Sequence, residues 1–177
     1  MKNTPKHQLN QLKEQVISCT KCPLHETRQN AVFGESDYKA KIMIIGEGPG
    51  ANEDKLGRPF VGRAGKLLDE ILAQYGLGRD KGVFISNIVK CRPPQNRLPR
   101  KQEINECLPY LEKQIQLINP KIIVLLGLTA VKSYLGLKEQ MKSIRGKEIR
   151  HDGKTIMPTY HPAAILRNPH LRKYLEE

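Results

Sequence analysis

Four short apolar runs, separated by stretches of helical periodicity, constrain the fold of this chain more than any other feature. The runs are 41–46, 83–89, 121–126 and 155–160, and each has the length and continuous apolar character of a buried strand. Apolar residues recur at helical spacing over 7–17, 67–75, 99–118 and 127–135, and a long loop is expected over 47–61. This alternation predicts a parallel sheet with helices on both faces, in a single domain that spans 1–177.

Glycine-rich and polar segments follow three of these strands. They are Gly46–Gly50, Asn87–Pro94 and His161–Pro169. Because ligands bind outside the carboxyl ends of parallel strands, we expect the three segments to meet in one site. The first segment is not a dinucleotide fingerprint, since Pro49 breaks the pattern, and Leu67 stands where a phosphate-binding P-loop needs Ser or Thr.

The charge of the chain favours a polyanionic partner. Lys and Arg number 30 against 18 Asp and Glu, a formal net charge of +12, with Lys and Arg dense over 92–101 and 138–154. Nucleic acid is the commonest partner of so basic a domain. The first residues lack the apolar stretch of a signal peptide, and the longest apolar run, 122–126, is too short to cross a bilayer. We therefore expect a cytoplasmic protein without membrane contact.

Four cysteines in a reducing compartment predict metal ligands or free thiols rather than disulfides. Cys19 and Cys22 form a CxxC pair after the opening helix, whereas Cys91 and Cys107 stand alone. A zinc ribbon needs a second tight pair, and a redox CxxC opens a helix after a strand, so neither spacing is met. A plain core cysteine is the alternative for Cys107. The pattern favours a shared metal or cluster site, and thiolates suit zinc and iron–sulfur alike.

Three further residues are candidates for chemistry, each with an ordinary structural alternative. His161 follows a predicted strand, where a histidine is often only a turn residue. Asn87 ends another strand and could equally be a buried structural amide. Phe60 lies in a glycine-rich loop, where its ring could stack on a base or fold back into the core.

Taken together, these segments resemble the family 4 uracil-DNA glycosylases, the bacterial and archaeal branch with a [4Fe-4S] cluster. The matching motifs are Gly46-Glu47-Gly48-Pro49-Gly50 with Glu53-Asp54, Gly57-Arg58-Pro59-Phe60-Val61-Gly62, Asn87-Ile88-Val89-Lys90-Cys91-Arg92-Pro93-Pro94, and His161-Pro162-Ala163-Ala164 with Arg167-Asn168-Pro169. The resemblance implies a three-layer α/β/α sandwich with a central four-stranded parallel sheet. It also implies that Cys19, Cys22, Cys91 and Cys107 hold the cluster as a structural staple.

The resemblance further implies a monofunctional enzyme of base excision repair, which hydrolyses the N-glycosidic bond of uracil and leaves an abasic site. The target base would leave the stack and enter a pocket. Phe60 would stack on uracil, and Asn87 would pair with its O4 and N3 edge and reject cytosine. Backbone amides near Glu47 and Gly48 would also hold the base, and Glu53 would exclude the methyl group of thymine.

The implied chemistry centres on the departing base. His161 would donate to O2 of uracil, where negative charge develops as the bond breaks. Related human-type enzymes position water with an aspartate in the first motif, where this chain has Gly48. We therefore assign water positioning or electrostatic help to Glu47.

The implied partner is uracil-containing DNA, single- or double-stranded. The enzyme would act as a monomer, without an obligate protein partner, and would be nucleoid-associated when on DNA. The basic stretches would contact phosphates, and Ile165, Leu166 and Arg167 are candidates for a wedge that fills the gap left by the flipped base.

Two alternatives stay open on the sequence. A non-catalytic zinc or iron–sulfur protein that binds nucleic acid would explain the charge and the cysteines, but would leave Asn87, Phe60 and His161 without a role. A family 5 glycosylase with broader substrates is the other, and Glu47 argues against it, since that branch tends to have an apolar residue there.

Overall fold

The predicted apolar runs form the centre of the molecule as four parallel strands. In the computed structural model, which describes residues 4–177, the strands are β1 (Glu35–Ser36), β2 (Ile42–Gly46), β3 (Val83–Asn87), β4 (Ile122–Leu126), β5 (Ile149–His151) and β6 (Lys154–Thr159). Their order in the sheet is β1-β3-β2-β4-β6-β5. The inner four are parallel, whereas β1 and β5 pair antiparallel at the two edges. The four-stranded parallel sheet is confirmed, and the two short edge strands are additional.

Four helices, over 5–17, 63–74, 101–118 and 128–135, follow the predicted periodicity, and the four shorter helices were not predicted. The helices are α1 (Pro5–Ile17), α2 (Ala51–Leu56), α3 (Arg63–Gln74), α4 (Lys101–Ile118), α5 (Leu128–Leu135), α6 (Met141–Ile144), α7 (Pro162–Arg167) and α8 (Lys173–Glu176), with 3-10 turns at Pro23–Glu26, Pro94–Asn96 and Pro169–Leu171. Within residues 4–177, no helix combines the length and apolarity needed to cross a membrane.

Alternation of side chains along the strands separates the core into two layers. Met43 and Ile45 of β2 face the cluster that α1, α4, α5 and α6 complete. Ile44 faces the opposite way and packs in a cluster with Leu68 and Leu72 of α3. The central strands are therefore covered on both faces, which is why they read as continuous apolar runs. The three-layer architecture is confirmed.

Two details of the prediction are wrong. The segment 47–61 is not a continuous loop, because α2 forms within it; Gly50 precedes this helix, and the Glu53 side chain caps it by accepting from the Gly50 amide at 3.1 Å. Tyr75, predicted on the apolar face of the second helix, lies just past the end of α3 and is 58% exposed.

The topology creates a crevice at the carboxyl ends of the central strands. The chain passes from β2 to β3 on one side and then returns to place β4 on the other side of β2. In open α/β sheets, such a reversal of strand order leaves a gap between the flanking connections, and ligands bind there. The segments that follow β2, β3, β4 and β6 all reach this edge.

Candidate active site and cysteine cavity

A cleft of about 620 Å³ lies over the carboxyl ends of the strands. The segments predicted to converge there do so, and residues 126–129 after β4 complete the wall. The predicted site residues that line the cleft are Glu47, Gly48, Glu53, Phe60, Asn87, His161 and Arg167. A cleft of this size lies within the range that accepts small ligands.

Asn87 ends β3 and is 2% exposed. Its Oδ1 is buried and has no hydrogen-bond partner within the described chain. Gly46 stands beside it on β2, and a Cβ at this position would lie 2.6 Å from Oδ1 and 2.5 Å from the ring of Phe60. Only glycine leaves room for both side chains. A buried acceptor without a partner is costly in a folded protein, so this atom is available for a donor on a ligand.

Phe60 occupies a strained turn after α2. Its φ is +52°, a conformation that bulky L residues rarely adopt. The side chain is 5% exposed and packs in the cluster with Ile44 and Leu68, yet it also lines the cleft. Its ring stacks on the imidazole of His161, with centroids 5.5 Å apart and an interplanar angle of 27°. The ring thus packs in the core and also borders the cleft, and its stacking on a base stays a prediction.

His161 stands at the N-cap of α7 and is half-buried. The amide of Ala163 donates to its Nδ1 at 3.0 Å. Nδ1 is therefore the acceptor in the neutral ring, and Nε2 carries the proton. Burial lowers the pKa of His161 to about 4, with the nearby Arg167 acting in the same direction. At neutral pH the residue is thus an uncharged Nε2–H donor.

The segment after β2 brings backbone into the cleft. The carbonyl of Glu47 accepts from the Val89 amide at 3.1 Å, which ties the segment to the end of β3. A Cβ at Gly48 would lie 2.7 Å from Cγ2 of Val89, so a larger residue would push the segment away. Glycine here permits the close approach of the two strand ends.

The carboxylate of Glu53 is engaged by the backbone. It accepts from the amides of Gly50 at 3.1 Å, Val61 at 2.8 Å and Gly62 at 2.9 Å. The side chain lines the cleft, but its charge stabilises the turn that carries Phe60. The role predicted for it, exclusion of the methyl group of thymine, stays a prediction.

The wedge candidates separate by exposure. Ile165 is 3% exposed and packs against Leu67 and Ile71 of α3, so its burial argues against the predicted wedge role. The segment after His161 forms helix α7, and the side of this helix that carries Ile165 packs against α3. Leu166 is 40% exposed, and Arg167 is exposed and lines the cleft.

The four cysteines line a second, smaller cavity. They come from the segment after α1, the segment after β3, and α4, and all four are free thiols. Arg28 donates from Nη1 to Sγ of Cys91 at 3.1 Å, and the Lys90 amide donates to Sγ of Cys107 at 3.2 Å. Within residues 4–177, no three His, Cys, Asp or Glu side chains are grouped to bind one metal ion.

Burial dominates the electrostatics of this cavity. It raises the pKa of Cys91, which the hydrogen bond from Arg28 opposes. It raises the pKa of Cys107 to about 12, and it lowers the pKa of Lys90 to about 8. A buried thiol accepts negative charge only when cations or donors compensate it, and Arg28 and Lys90 supply both here.

Several residues that hold the site were not found from the sequence. Lys90 is fully buried, and its Nζ donates to Ser86 Oγ at 2.5 Å, the Asn87 carbonyl at 2.9 Å and Gln114 Oε1 at 2.7 Å. Arg79, between α3 and β3, bonds to the turn of Phe60. The sequence did offer a signal for Lys90, since a lysine follows directly on an apolar strand end. Nothing in the local sequence marks Arg79.

Within the basic stretch 92–101, Arg97 is committed to the protein. Its guanidinium donates to Glu103 at 2.7 and 2.9 Å, and the Glu103 side chain is 1% exposed. The hydrogen bonds from Arg97 lower the pKa of Glu103 despite its burial. This arginine therefore holds the loop beside the cleft.

Comparison with known proteins agrees with this geometry. A model of the uracil DNA glycosylase superfamily matches residues 33–177. A Type-4 uracil-DNA glycosylase of Sulfurisphaera tokodaii is 54% identical over 178 residues, which cover 96% of this chain and 80% of that protein. A Type-4 uracil-DNA glycosylase of Pyrobaculum aerophilum is 48% identical over 93% of this chain and 87% of that protein. A Type-5 uracil-DNA glycosylase of the same organism is 25% identical over 92% and 86%.

Proposed function

The chain belongs to the uracil DNA glycosylase superfamily and is a uracil-DNA glycosylase of base excision repair, and from this premise we propose how its residues act. Uracil flips out of the DNA into the cleft over the strand ends, where the protein reads the base and assists its departure. The products are free uracil and an abasic site in an uncut strand.

The unpartnered Oδ1 of Asn87 carries the proposal. Uracil has a proton on N3, which would donate to this buried acceptor and satisfy it. The amide nitrogen of the same side chain would donate to O4. Cytosine has a lone pair at N3 and an amino group at position 4, so both interactions would be lost. The same side chain thus binds uracil and rejects the normal base.

Phe60 and the segment after β2 would complete the pocket. The ring of Phe60 is already fixed at the cleft and would provide a flat apolar surface for the base. Backbone amides of Glu47 and Gly48 would donate to the uracil edge. Glu53 would limit space near C5 by holding its turn in place, which would disfavour the methyl group of thymine.

His161 would stabilise the leaving group. As the glycosidic bond breaks, the sugar becomes cation-like and negative charge grows on O2 of uracil. A neutral Nε2–H donor stabilises this charge in the transition state, and one such preorganised donor is typically worth about 2.7–4 kcal/mol. The Ala163 amide supports the proposal, because it fixes the tautomer before the base arrives.

Glu47 is proposed to orient the attacking water. Glu47 lines the cleft, and a carboxylate can both accept from water and stabilise a cation-like sugar. Gly48, where the human-type enzymes have an aspartate, has no side chain that could take this role. Water positioning would therefore fall to Glu47 here, one residue before the position that carries the aspartate in the human-type enzymes.

Cys19, Cys22, Cys91 and Cys107 are proposed to hold a [4Fe-4S] cluster. Four thiols around one cavity, with donors aimed at two of the sulfurs, suit such a group. When bound, it would cross-link the segment after α1 to α4 and to the segment after β3. Its role would be structural, close to the strand end that carries the uracil-reading side chain.

The test is cleavage of a labelled oligonucleotide with one U:G pair, treated with alkali after reaction, beside matched strands with T or C. We expect strand breaks only at uracil and only after alkali, with free uracil released. Breaks without alkali would contradict the monofunctional mechanism. Release of cytosine at a comparable rate would contradict the proposed reading by Asn87, and release of thymine would contradict the proposed exclusion of its methyl group.

A further inference from the structure

The turn that presents Phe60 is held in a conformation that its own residues do not favour. Phe60 has a φ of +52°, and it is neither glycine nor asparagine. Strained backbone of this kind persists only where the surroundings determine it, and it concentrates at functional sites. The contacts that hold this turn are therefore candidates for a role in activity.

Glu53 and the neighbouring Gly65 fix the turn from one side. The Glu53 carboxylate accepts from the amides of Val61 and Gly62, which follow Phe60 directly. Gly65 allows α3 to approach the turn, because a Cβ there would lie 1.7 Å from the Phe60 carbonyl oxygen. Glu53 therefore holds the residues that follow Phe60, whereas the carbonyls of Pro59 and Phe60 accept from a different side chain.

That side chain is Arg79, which lies in the connection between α3 and β3. Its guanidinium donates to the carbonyl of Pro59 at 2.6 Å and to the carbonyl of Phe60. The same group donates to Glu35 at 2.7 Å and to Asp69 at 2.9 Å. With its side chain 14% exposed, Arg79 is fixed between two carboxylates and the two carbonyls.

Arginine suits this position because its planar group presents five N–H donors in a fixed arrangement. Lysine would keep the charge but could not span two carbonyls and two carboxylates at once. Burial raises the pKa of Glu35, but the hydrogen bonds from Arg58 and Arg79 outweigh it and leave the pKa below its usual value. Glu35, which binds the guanidinium of Arg79, is thus charged at neutral pH.

We propose that Arg79 is a positioning residue for uracil recognition, acting through the backbone of Phe60 to keep the ring where the base stacks. The inference rests on the proposed stacking of uracil on Phe60. Arg79 does not touch the base. Its loss would let the turn relax toward an unstrained conformation and would withdraw the ring from the cleft.

A double-mutant cycle tests this. Phe60→Ala should lower kcat/KM for uracil in single-stranded DNA roughly 5- to 150-fold, the usual effect of removing one base-stacking ring. Arg79→Met should lower it by at most the same factor and weaken inhibition by free uracil in proportion. In the Phe60→Ala background, Arg79→Met should change kcat/KM less than about twofold, because residues that act through one group are not additive.

The matched control is Arg58→Met. Arg58 donates to the same Glu35 at 2.8 Å, but it is 56% exposed and its hydrogen bonds go to that carboxylate alone. We expect wild-type kcat/KM and free-uracil inhibition from this variant. Arg79→Lys, which keeps the charge near Glu35 and Asp69, should reproduce the loss and replaces Arg79→Met in the cycle if that variant does not fold.

The outcomes separate the two proposals. Wild-type activity of Phe60→Ala would remove the stacking role and, with it, the basis of the inference. A loss in Phe60→Ala together with fully additive effects of Arg79→Met would leave the stacking role and overturn the role of Arg79. Unchanged activity of folded Arg79→Met and Arg79→Lys would overturn it as well.

Discussion

The backbone amide of Ala163 donates to Nδ1 of His161 at 3.0 Å, at the first turn of α7. This one contact decides the chemistry available to the ring, because it leaves Nε2 as the protonated nitrogen. The helix that follows the motif is thus part of the site. Burial of the ring, with Arg167 acting in the same direction, disfavours a positive charge on the imidazole and lowers the pKa of His161.

The first prediction concerns the pH dependence of catalysis. The pKa of His161 is lowered to about 4 by burial, so the neutral donor persists well below the ordinary histidine value of about 6.5. We expect the single-turnover rate to show no loss with a midpoint near 6.5 as the pH falls from about 8 to about 5. NMR titration of the imidazole should agree.

The same shift has a defined sign for stability. Because the folded pKa lies below the unfolded one, the unfolded chain binds the proton first as the pH falls. The stabilising effect of the neutral ring is complete above about pH 6.5 and declines toward about pH 4. His161→Gln should show a smaller loss in the free energy of unfolding over this window. An equal loss in both proteins would contradict the assignment.

The second prediction separates a functional amide from a structural one at position 87. Asn87→Leu should lower kcat/KM for uracil at least roughly tenfold, since two hydrogen bonds of about 1 kcal/mol each are lost. Its free energy of unfolding should stay the same or rise, because the change removes a buried acceptor that has no partner.

The control is Gln114→Leu, a change at another fully buried amide. Gln114 donates to the Phe33 carbonyl at 2.7 Å and accepts from Ser86 and Lys90 at 3.0 and 2.7 Å. Urea unfolding should show a clear loss of stability there. If Asn87→Leu were the more destabilised of the two, Asn87 would be a structural amide.

The third prediction concerns the cysteine cavity. Cys107→Ala should lose the brown colour expected of a bound cluster and should unfold at a lower temperature. Leu111→Ala removes a fully buried side chain from the same helix and should be destabilised while keeping its visible absorbance. An unchanged spectrum in Cys107→Ala would remove this residue from the proposed ligands.

The fold and the meeting of motifs could be predicted because they depend on local patterns. Continuous apolar runs gave the four parallel strands, and the residues after them reached one edge as expected. Helix α2 was not predicted, since its six residues are too few to show periodicity and its cap is the side chain of Glu53. Strands β1 and β5 have two and three residues, which are too few for a strand pattern to stand out in the sequence.

The supporting contacts could not be predicted, because their partners are remote in sequence. Arg79 bonds to backbone carbonyls some 20 residues away, and any residue type could have supplied those carbonyls. Lys90 bonds inside the core to Ser86 and to Gln114, and Gln114 lies 24 residues away in α4. The face that α7 turns toward the core likewise depends on α3, because Ile165 of α7 packs against that helix.

The last prediction uses two adjacent residues of α7 that differ in exposure. Leu166 is 40% exposed and Ile165 is 3% exposed. Leu166→Ala should leave the free energy of unfolding within about 0.5 kcal/mol of wild type, as is usual for a surface change. It should lower cleavage of uracil in duplex DNA severalfold and leave single strands unaffected, because only a duplex has a gap in its stack for an apolar side chain to fill.

The control, Ile165→Ala, should lower stability and leave the substrate preference unchanged. A cavity beside Leu67 and Ile71 costs about 2–5 kcal/mol of unfolding free energy, and activity per folded molecule should change equally on both substrates. Measuring both variants on matched single- and double-stranded oligonucleotides therefore distinguishes a wedge from a core residue. If Leu166→Ala kept the wild-type ratio of duplex to single-strand cleavage, this segment would have no role in opening the duplex.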